Sequence, residues 1–342
     1  MAVVTTGFFD GVHLGHRHVL ETVVSCARER GQEAVVVTFW PHPRTVLQQD
    51  ARGFRLLTSL EEKKVLLADA GIDRVEVLPF TRDFAAMKAD EYISLLRERF
   101  DASLVVMGYD NRIGSDRLTS AEISEHWSPN PSSLRSSSLP TSILAVGPLP
   151  FMRPRAATGS EDQSSEIFGL TASENYFSQG FAKNQFPAAI AKPTHANAIS
   201  STQIRKALEA GDVDLANTML GYRYGLYGVV VAGNRVGRTI GFPTANMQLY
   251  EPLKLVPANG VYAVEVQVLG KKYRGMCNIG TRPTVGGTTR TIETHILDFD
   301  EDIYGLPLQI RFLARIRDER KFPSLDALKE QLKKDAKDCG GM

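Results

Sequence analysis

The chain has 342 residues and nearly balanced charge, with 40 Lys and Arg residues against 39 Asp and Glu residues. This length predicts two domains, and a formal charge of +1 argues against nucleic acid as the main partner. The three cysteines form no C-x-x-C pair, which argues against a zinc site or a disulfide framework and indicates a reducing cytoplasm. We expect neither a signal peptide nor a membrane anchor, because the first residues lack a basic segment followed by a long apolar one.

Residues 1 to about 127 alternate short β-branched runs with amphipathic helical patterns. Strands are predicted at Ala2 to Thr6, Ala34 to Phe39, Arg74 to Pro79 and Ser103 to Met107. Helices are predicted from Arg17 to Arg30, from a Ser59 and Glu62 capping box to near Gly71, and from Asp90 onward. This alternation predicts a Rossmann-like, doubly wound parallel sheet with a ligand at the carboxyl ends of its strands.

The turn after the first predicted strand reads Gly-Phe-Phe-Asp-Gly-Val-His-Leu-Gly-His, from Gly7 to His16. Glycines at a strand-to-helix junction let the backbone approach a ligand, and the free amides of a helix N-terminus attract phosphate. His13 and His16 add two imidazoles at the same point. We therefore predict a nucleotide site; the alternative is a tight turn with surface histidines.

Residues 128 to about 197 are rich in Ser and Pro at first and then show no sustained period, which indicates a long loop or a disordered insertion. A helix follows from Ser200, which forms a capping box with Gln203, and stops at Gly211. A second short helix is predicted from Val213 to Leu220.

From Tyr222 onward the pattern is antiparallel. Strands are predicted at Leu226 to Ala232, Val261 to Leu269, Lys272 to Asn278, Thr291 to Phe299 and Leu308 to Ile316. The pair Gly270 and Lys271 indicates a hairpin turn, and Ser324 begins a final helix. These elements predict a small antiparallel β-barrel with a C-terminal helix.

Two groups of side chains in the first part suit phosphate chemistry. One is His13 with His16; the other is the N-terminus of the helix at Ser200, with Ser201, Thr202 and Arg205. Imidazoles, hydroxyls and a guanidinium stabilise the charge that develops when the α-phosphate of a nucleoside triphosphate is attacked. We predict nucleotidyl transfer; an ordinary capped helix with a solvated arginine is the alternative for the second group.

These motifs resemble the nucleotidyltransferase superfamily, with its H-x-G-H and I-S-S-T-x-I-R signatures. The stretches T-F-W-P-H-P from Thr38, L-T-S-L-E-E-K from Leu57 and G-Y-D-N-R-I-G from Gly108 are similar to the bacterial bifunctional FAD synthetases. The resemblance implies that His13, His16 and Arg205 are catalytic, while His42 has either a structural or a functional role. It also implies a nucleotide and flavin site made by Gly7, Phe8, Asp10, Gly11, Gly15, Asp110, Ser200, Ser201 and Thr202.

The barrel carries a second set of polar residues. Thr244 and Asn246 are two apart on an extended segment, so a hydroxyl and an amide oxygen point to one side and suit Mg²⁺. Glu293 and His295 likewise share a strand face, and a carboxylate beside Mg-ATP accepts the proton of an attacking alcohol. The alternative is that Pro243 merely ends a strand and Glu293 is an exposed barrel residue.

The barrel motifs resemble riboflavin kinases: G-R-x-x-G-F-P-T-A-N from Gly237, E-T-H-I-L-D-F from Glu293, and an I-R-x-E-x-K-F stretch. The resemblance implies Glu293 as the catalytic base and Thr244 and Asn246 as the Mg²⁺ ligands. It further implies contacts to ATP or flavin by Gly237, Arg238, Gly241, Pro243 and Arg317.

The expected enzyme is a transferase with domains at residues 1–221 and 222–342. It phosphorylates riboflavin to FMN and then adenylylates FMN to FAD, with ATP as co-substrate, Mg²⁺ as cofactor, and neither nucleic acid nor membrane as partner. The alternative is riboflavin kinase activity alone, with an adenylyltransferase domain inactivated by the unusual segment at 128–198.

Overall fold

A computed structural model describes residues 1–47, 53–108, 111–119, 121–123, 142–147, 199–233, 236–284 and 287–341. Its internal contacts divide the chain into two compact units. The first unit comprises Met1–Phe54 and Leu60–Ile199, and the second comprises Arg55–Ser59 and Ser200–Met342. Each unit is described by itself below.

The first unit is built on a parallel sheet of five strands in the order β3-β2-β1-β4-β5. Its strands are β1 (Ala2–Thr6), β2 (Glu33–Trp40), β3 (Arg74–Pro79), β4 (Ala102–Gly108) and β5 (Ser142–Val146). The chain runs outward from β1 to β3 and then returns to the other side of β1, so the strand order reverses between β1 and β4. In doubly wound sheets, ligands bind at the carboxyl ends of the strands beside such a reversal.

Helices cover the sheet of the first unit. They are α1 (Leu14–Arg30), α2 (Pro43–Leu47), α3 (Leu60–Asp69), α4 (Arg82–Ala86) and α5 (Ala89–Phe100). The first helix starts three residues earlier than the pattern predicted, because the side chain of His13 acts as its N-cap. It ends at Gly31, which adopts the left-handed conformation that suits a helix C-terminus.

The segment at 128–198 is not irregular throughout, and the sequence-based expectation was wrong at Ser142–Val146. These residues form β5, which pairs in parallel with β4 from Leu104 to Gly108. Ile143, Leu144 and Val146 supply the apolar and β-branched side chains that favour a strand. Five residues are too few for the alternation of a strand to be recognised within a Ser-rich and Pro-rich region. The remainder of the segment lies outside the described residues.

The second unit contains a closed antiparallel barrel of strand order β10-β7-β6-β11-β8-β9. Its strands are β6 (Gly225–Val231), β7 (Ala245–Leu249), β8 (Gly260–Val268), β9 (Lys271–Thr284), β10 (Gly287–Ile296) and β11 (Pro307–Arg317). Strand β7 was not predicted, and β9 extends beyond its predicted end. The hairpin between β8 and β9 turns at Leu269 and Gly270, both with positive φ, one residue earlier than predicted.

Four helices of the second unit are described: α6 (Ser201–Glu209), α7 (Val213–Leu220), α8 (Val236–Thr239) and α9 (Leu325–Gly340). Helix α6 carries the predicted capping box of Ser200 and Gln203, and Ser324 caps α9 as expected. Helix α9 packs on the outside of the barrel, where Leu332 and Cys339 contact apolar side chains of β8 and β9.

A short segment from early in the sequence belongs to the second unit. We call Arg55–Ser59 the strap. The Leu56 N–H donates to the carbonyl of Leu253 at 2.7 Å, and the Leu255 N–H donates to the carbonyl of Leu56 at 2.8 Å. The ammonium of the buried Lys254 donates to the carbonyl of Leu57 at 2.7 Å. The strap therefore pairs along one edge with Leu253–Leu255, as a parallel bridge between Leu56 and Lys254.

Candidate active sites

The two histidines of the first unit lie against each other at the start of α1. Their ring centroids are 3.6 Å apart and the ring planes are nearly parallel, at 16°. The His13 Nδ1 atom accepts a hydrogen bond from the His16 backbone N–H at 3.3 Å, which fixes the His13 ring as the helix cap. Burial lowers the pKa of His16 well below its usual range, and the charges of His13 and Lys63 lower this pKa further.

The turn that carries this pair has a constrained backbone. Phe9, Gly11 and Val12 all adopt positive φ, at 51°, 84° and 37°. A β-branched residue rarely adopts this conformation, and such strain is held in place mainly around functional sites. At Gly15 an added Cβ would lie only 3.2 Å from two atoms of the His13 ring. The glycine therefore leaves room for the imidazole that caps the helix.

An aromatic cleft lies beside the same turn, with a volume of about 320 Å³. Asn111 and Tyr92 mark its polar edge: the Asn111 amide donates to the Thr6 carbonyl at 2.8 Å, and the Tyr92 hydroxyl lies 2.5 Å from Thr6 Oγ1. Its apolar walls include Phe8, Phe39, Phe80, Phe84 and Met87. Flat apolar walls with a polar edge suit a fused aromatic ring system.

Two of the predicted site residues, Asp10 and Gly7, take defined places in the turn. Asp10 is buried at 3% exposure, and Gly7 lines the aromatic cleft. Asp110 lies outside the described residues. His42 packs edge-on against Phe8, with ring centroids 3.9 Å apart, and its Nδ1 atom accepts a hydrogen bond from the Arg44 backbone N–H at 3.0 Å. This packing supports the structural one of its two roles.

The residues from Ser200 to Arg205 belong to the second unit. The Ser200 side chain accepts from the Gln203 N–H, and the Gln203 side chain accepts from the Ser200 N–H, which completes the capping box. Ser201 and Thr202 form the first turn of α6, and the Arg205 Nε donates to the carbonyl of Arg55 at 2.8 Å. Their expected role in holding a triphosphate stays a prediction.

Lys63 ends the L-T-S-L-E-E-K stretch from Leu57, but sequence reasoning assigned no role to this fully buried lysine of α3. Its ammonium lies 3.5 Å from the centroid of the Phe8 ring and donates to Thr38 Oγ1 at 3.4 Å. Burial lowers the pKa of Lys63 to about 8, although the nearby Asp10 carboxylate acts to raise it. In the sequence this lysine stands in a charged, capped helix that indicates a solvated face, so no local signal marks its burial.

In the barrel, polar residues of three neighbouring strands form one row. Glu293 on β10 pairs with Asn246 on β7 and with Asn278 on β9. Residues paired across antiparallel strands project from the same face of the sheet. Ile292 and Thr294 beside Glu293 are buried, so Glu293 faces the outer wall of the barrel, on the side that α9 covers. The His295 Nδ1 atom, on the same face, lies 2.7 Å from the Pro243 carbonyl.

Two clefts adjoin this row of polar residues, and Thr244 lines both of them. The larger, of about 520 Å³, is bordered by Gly237, Phe242, Asn278, Glu293, Arg317 and Phe322, and by Leu328 and Leu332 of α9. The smaller, of about 270 Å³, is bordered by Arg238, Pro243, Asn246, and the loop from Asp300 to Tyr304. The glycine segment turns at Gly241, whose φ is +83°, and Phe242 N–H donates to the Gly237 carbonyl at 2.8 Å.

Arg317 lines the larger cleft, and its side chain is held in place by Asp335, a residue that the sequence analysis did not single out. Its guanidinium binds the carboxylate of Asp335 on α9, with Nε–Oδ2 and Nη2–Oδ2 distances of 2.9 and 2.7 Å. Asp335 is fully buried and also accepts from the Gln331 amide at 2.6 Å. The same guanidinium lies 5.5 Å from the centroid of the Phe322 ring. Helix α9 thereby fixes the position of the cleft arginine.

The donor set around Thr244 fits a hard cation. A hydroxyl, the Asn246 amide oxygen and the Glu293 carboxylate are oxygen ligands of the kind that Mg²⁺ prefers. Gly233 leaves space for the amide, since an added Cβ would lie 2.2 Å from Asn246 Nδ2. Within the described ranges, no group of three or more His, Cys, Asp or Glu residues is arranged to hold a metal. None of the helices in the described ranges has the length and apolar character needed to cross a bilayer.

The fold and the two sites define a two-part phosphorus-group transferase, with a nucleotidyltransferase-type sheet and a kinase-type barrel. Family models agree: residues 1–132 match FAD synthetase, and residues 220–341 match riboflavin kinase. The chain belongs to the bifunctional riboflavin kinase/FMN adenylyltransferase family. The expected fold class, enzyme class and pair of activities are thereby confirmed, with ATP as co-substrate.

Curated relatives match along nearly the whole chain. The bifunctional riboflavin kinase/FMN adenylyltransferase of Bacillus subtilis is 33% identical over 341 residues, covering 99% of this chain and 91% of the relative. The enzyme of the same name from Escherichia coli is 35% identical over 335 residues, covering 97% and 90%. A crystal structure described as a macrolide-efflux protein from Streptococcus pneumoniae has 29% identity and a TM-score of 0.79, covering 100% of this chain and 94% of that one.

Proposed function

We propose that the first unit joins FMN to AMP at the turn between β1 and α1. The histidine pair at one side of this turn and the aromatic cleft at the other carry the proposal. The isoalloxazine ring occupies the cleft, and the ATP phosphates lie at the N-terminus of α1, where backbone amides and imidazoles favour negative charge. A phosphate oxygen of FMN attacks the α-phosphorus of ATP, and the bond to pyrophosphate breaks.

His13 and His16 stabilise the charge that moves onto the leaving pyrophosphate. The lowered pKa keeps His16 neutral in the ligand-free protein at neutral pH. The bound triphosphate brings negative charge that favours the protonated form of His16. Fixed hydrogen-bond donors and charges of this kind stabilise a transition state without forming a covalent intermediate.

In the barrel, we assign riboflavin to the larger cleft and ATP to the smaller one. Glu293 accepts the proton of the terminal primary hydroxyl of riboflavin while that oxygen attacks the γ-phosphorus of ATP, and ADP leaves. Thr244 supports this assignment because it lines both clefts, between the two substrates. Mg²⁺, held by Thr244 and Asn246, would neutralise charge on the ATP phosphates.

A time course resolved by HPLC tests this assignment of the two reactions. With riboflavin, ATP and Mg²⁺, the unchanged protein is expected to form FMN first and FAD afterwards. Glu293→Gln blocks the first step but still converts added FMN to FAD, whereas His16→Ala forms FMN and stops. Formation of FAD from FMN by His16→Ala at the normal rate would contradict the role of the histidine pair.

The same assay separates the second candidate function, riboflavin kinase activity alone. Incubation of the unchanged protein with FMN, ATP and Mg²⁺ releases pyrophosphate only if the first unit is active. Strand β5 completes an edge of the sheet, which favours an active first unit.

The remaining proposals concern the domain limits, the location in the cell and the partners of the protein. We propose domain limits at 1–221 and 222–342, as the sequence predicts, while the compact units group Arg55–Ser59 and residues 200–221 with the barrel. We also propose action in the cytoplasm, where the free thiols of Cys26, Cys277 and Cys339 persist. Neither a nucleic acid nor a membrane is needed as a partner, and the balanced charge supports this.

A further inference from the structure

Lys63 has an environment that a lysine occupies only at a cost. Its side chain is fully buried, and transfer of an ammonium from water into a protein interior is unfavourable unless other groups compensate for the lost water. The Thr38 hydroxyl accepts a hydrogen bond from it, and the Phe8 ring presents its face to the charge at 3.5 Å. An apolar residue would pack on α3 without this cost.

The contacts of Lys63 all lead to one turn. Thr38 Oγ1, which accepts from Lys63, donates in turn to the carbonyl of Phe8 at 3.2 Å. The Asp10 carboxylate, two residues further on, acts on Lys63 through its charge. The Lys63 ammonium thus contacts the Phe8 ring directly, reaches the Phe8 carbonyl through Thr38, and is attracted by the Asp10 carboxylate. Phe8 and Asp10 belong to the segment that leads into the histidine pair.

This segment separates the two halves of the proposed adenylyl-transfer site. Phe8 is a wall of the aromatic cleft, and Phe9 packs edge-on against His16, with ring centroids 5.2 Å apart. The charged groups that act on His16 are His13 in the turn and Lys63 on α3. A displacement of the ammonium would therefore disturb both the cleft wall and the imidazole.

We propose that Lys63 is a positioning residue for adenylyl transfer, whose buried ammonium holds the turn from Phe8 to Asp10 between the aromatic cleft and the histidine pair. The inference rests on the proposed function of this site. The cation also adds a fixed positive charge near the place where the triphosphate binds, and it keeps His16 neutral until the substrate arrives.

Lys63→Met tests the proposal, because methionine keeps the length and apolar stem of the side chain while removing the charge. We expect kcat/KM for FMN adenylylation to fall by about 100-fold, the loss that a displaced catalytic geometry produces. The KM for FMN rises, because the Phe8 wall loses its support. Riboflavin phosphorylation by the same preparation stays unchanged.

The decisive measurement is the titration of His16 by NMR in protein labelled at histidine, with the signal assigned from His16→Ala. Loss of the Lys63 charge raises the pKa of His16 in Lys63→Met. A purely structural role would lower the melting temperature but leave kcat/KM and the KM for FMN of the folded protein unchanged. Lys64→Met is the matched control, because Lys64 is the next residue, is 40% exposed and pairs with Glu61 on the same helix.

Lys63→Gln gives a second neutral variant that still donates a hydrogen bond. A folded Lys63→Met or Lys63→Gln that adenylylates FMN within twofold of the unchanged protein, or whose His16 titrates normally, would overturn the proposal. Failure of both variants to fold would also overturn it, in favour of a purely structural charge. If His16→Ala formed FAD from FMN at the full rate, the proposed function of the site would fail. The titration of His16 in Lys63→Met would still show whether the Lys63 charge acts on His16.

Discussion

Asn246 and Glu293 stand directly opposite each other on the antiparallel strands β7 and β10. An amide and a carboxylate thereby project side by side from the outer wall of the barrel, although 47 positions separate them in the sequence. Thr244, which immediately precedes β7, lines one cleft with Asn246 and the other with Glu293. The geometry places the proposed base next to the proposed cation ligands.

This arrangement predicts that Asn246 sets the requirement for Mg²⁺ in riboflavin phosphorylation. Asn246→Ala removes one oxygen ligand, so the Mg²⁺ concentration for half-maximal rate is expected to rise about tenfold or more. The measurement is the rate of FMN formation across a Mg²⁺ titration. Gln248→Ala, at an exposed position of the same strand, is the control and should behave as the unchanged protein. An unaltered Mg²⁺ dependence in Asn246→Ala would remove Asn246 from the cation site.

Gly15 is expected to be essential to the histidine pair but not to the fold. In Gly15→Ala the new methyl group lies 3.2 Å from the His13 ring and displaces it, while the helix itself gains about 1 kcal/mol of intrinsic preference. FAD formation from FMN should therefore fall at least tenfold. Melting temperature and riboflavin phosphorylation should change little. The control is Gly53→Ala, where a methyl group meets no atom within 4 Å.

Asp335 is expected to stabilise the barrel and to tune riboflavin binding through Arg317. Asp335→Asn leaves the guanidinium without its buried counter-charge, which costs about 3 kcal/mol of unfolding free energy. The KM for riboflavin should rise while the KM for ATP does not, which initial rates will show. Lys333→Ala breaks an exposed ion pair with Glu330 on the same helix and should cost less than about 1 kcal/mol. Equal effects of the two variants would contradict this role.

Stability of the first unit should rise between pH 8 and pH 10.5 because of Lys63. Its pKa is about 8 when folded and 10.5 ordinarily, so in this window the unfolded chain binds more protons than the folded protein. The free energy of unfolding then increases with pH, by up to roughly 3 kcal/mol. Urea unfolding followed by tryptophan fluorescence measures it, since Trp40 and Trp127 both precede the second unit's barrel. Lys63→Met should lack the rise, and Lys64→Met should retain it.

The sequence was informative wherever a local pattern determines structure. Runs such as Arg74–Pro79 were predicted with the limits observed, because β-branched residues between turn signals define a strand locally. Strand β7 was not predicted because Asn246 and Gln248 interrupt the apolar pattern of a five-residue run that begins two residues after Pro243. Its place in the barrel comes from pairing with β6 and β10, which are distant in the sequence.

The site residues divide in the same way. His13, His16 and Glu293 belong to recognisable spacings and were found in advance. Lys63 and Asp335 each lie in a charged helix that indicates a solvated face, and their burial depends on which side of that helix packs inward. Tertiary packing decides this, so composition and spacing give no warning of a buried charge.

The strap affects any attempt to express the two units as separate fragments, because it belongs to the second unit but lies within the sequence of the first. Leu56 of the strap is hydrogen-bonded to Leu253 and Leu255, yet 140 residues of the sequence separate the strap from the rest of the second unit. Truncation at the start of the barrel would discard them and leave the backbone groups of Leu253 and Leu255 exposed to solvent. A single break in the gene therefore cannot yield two intact halves, and a free-standing kinase fragment would need these five residues supplied as a peptide or grafted to its terminus.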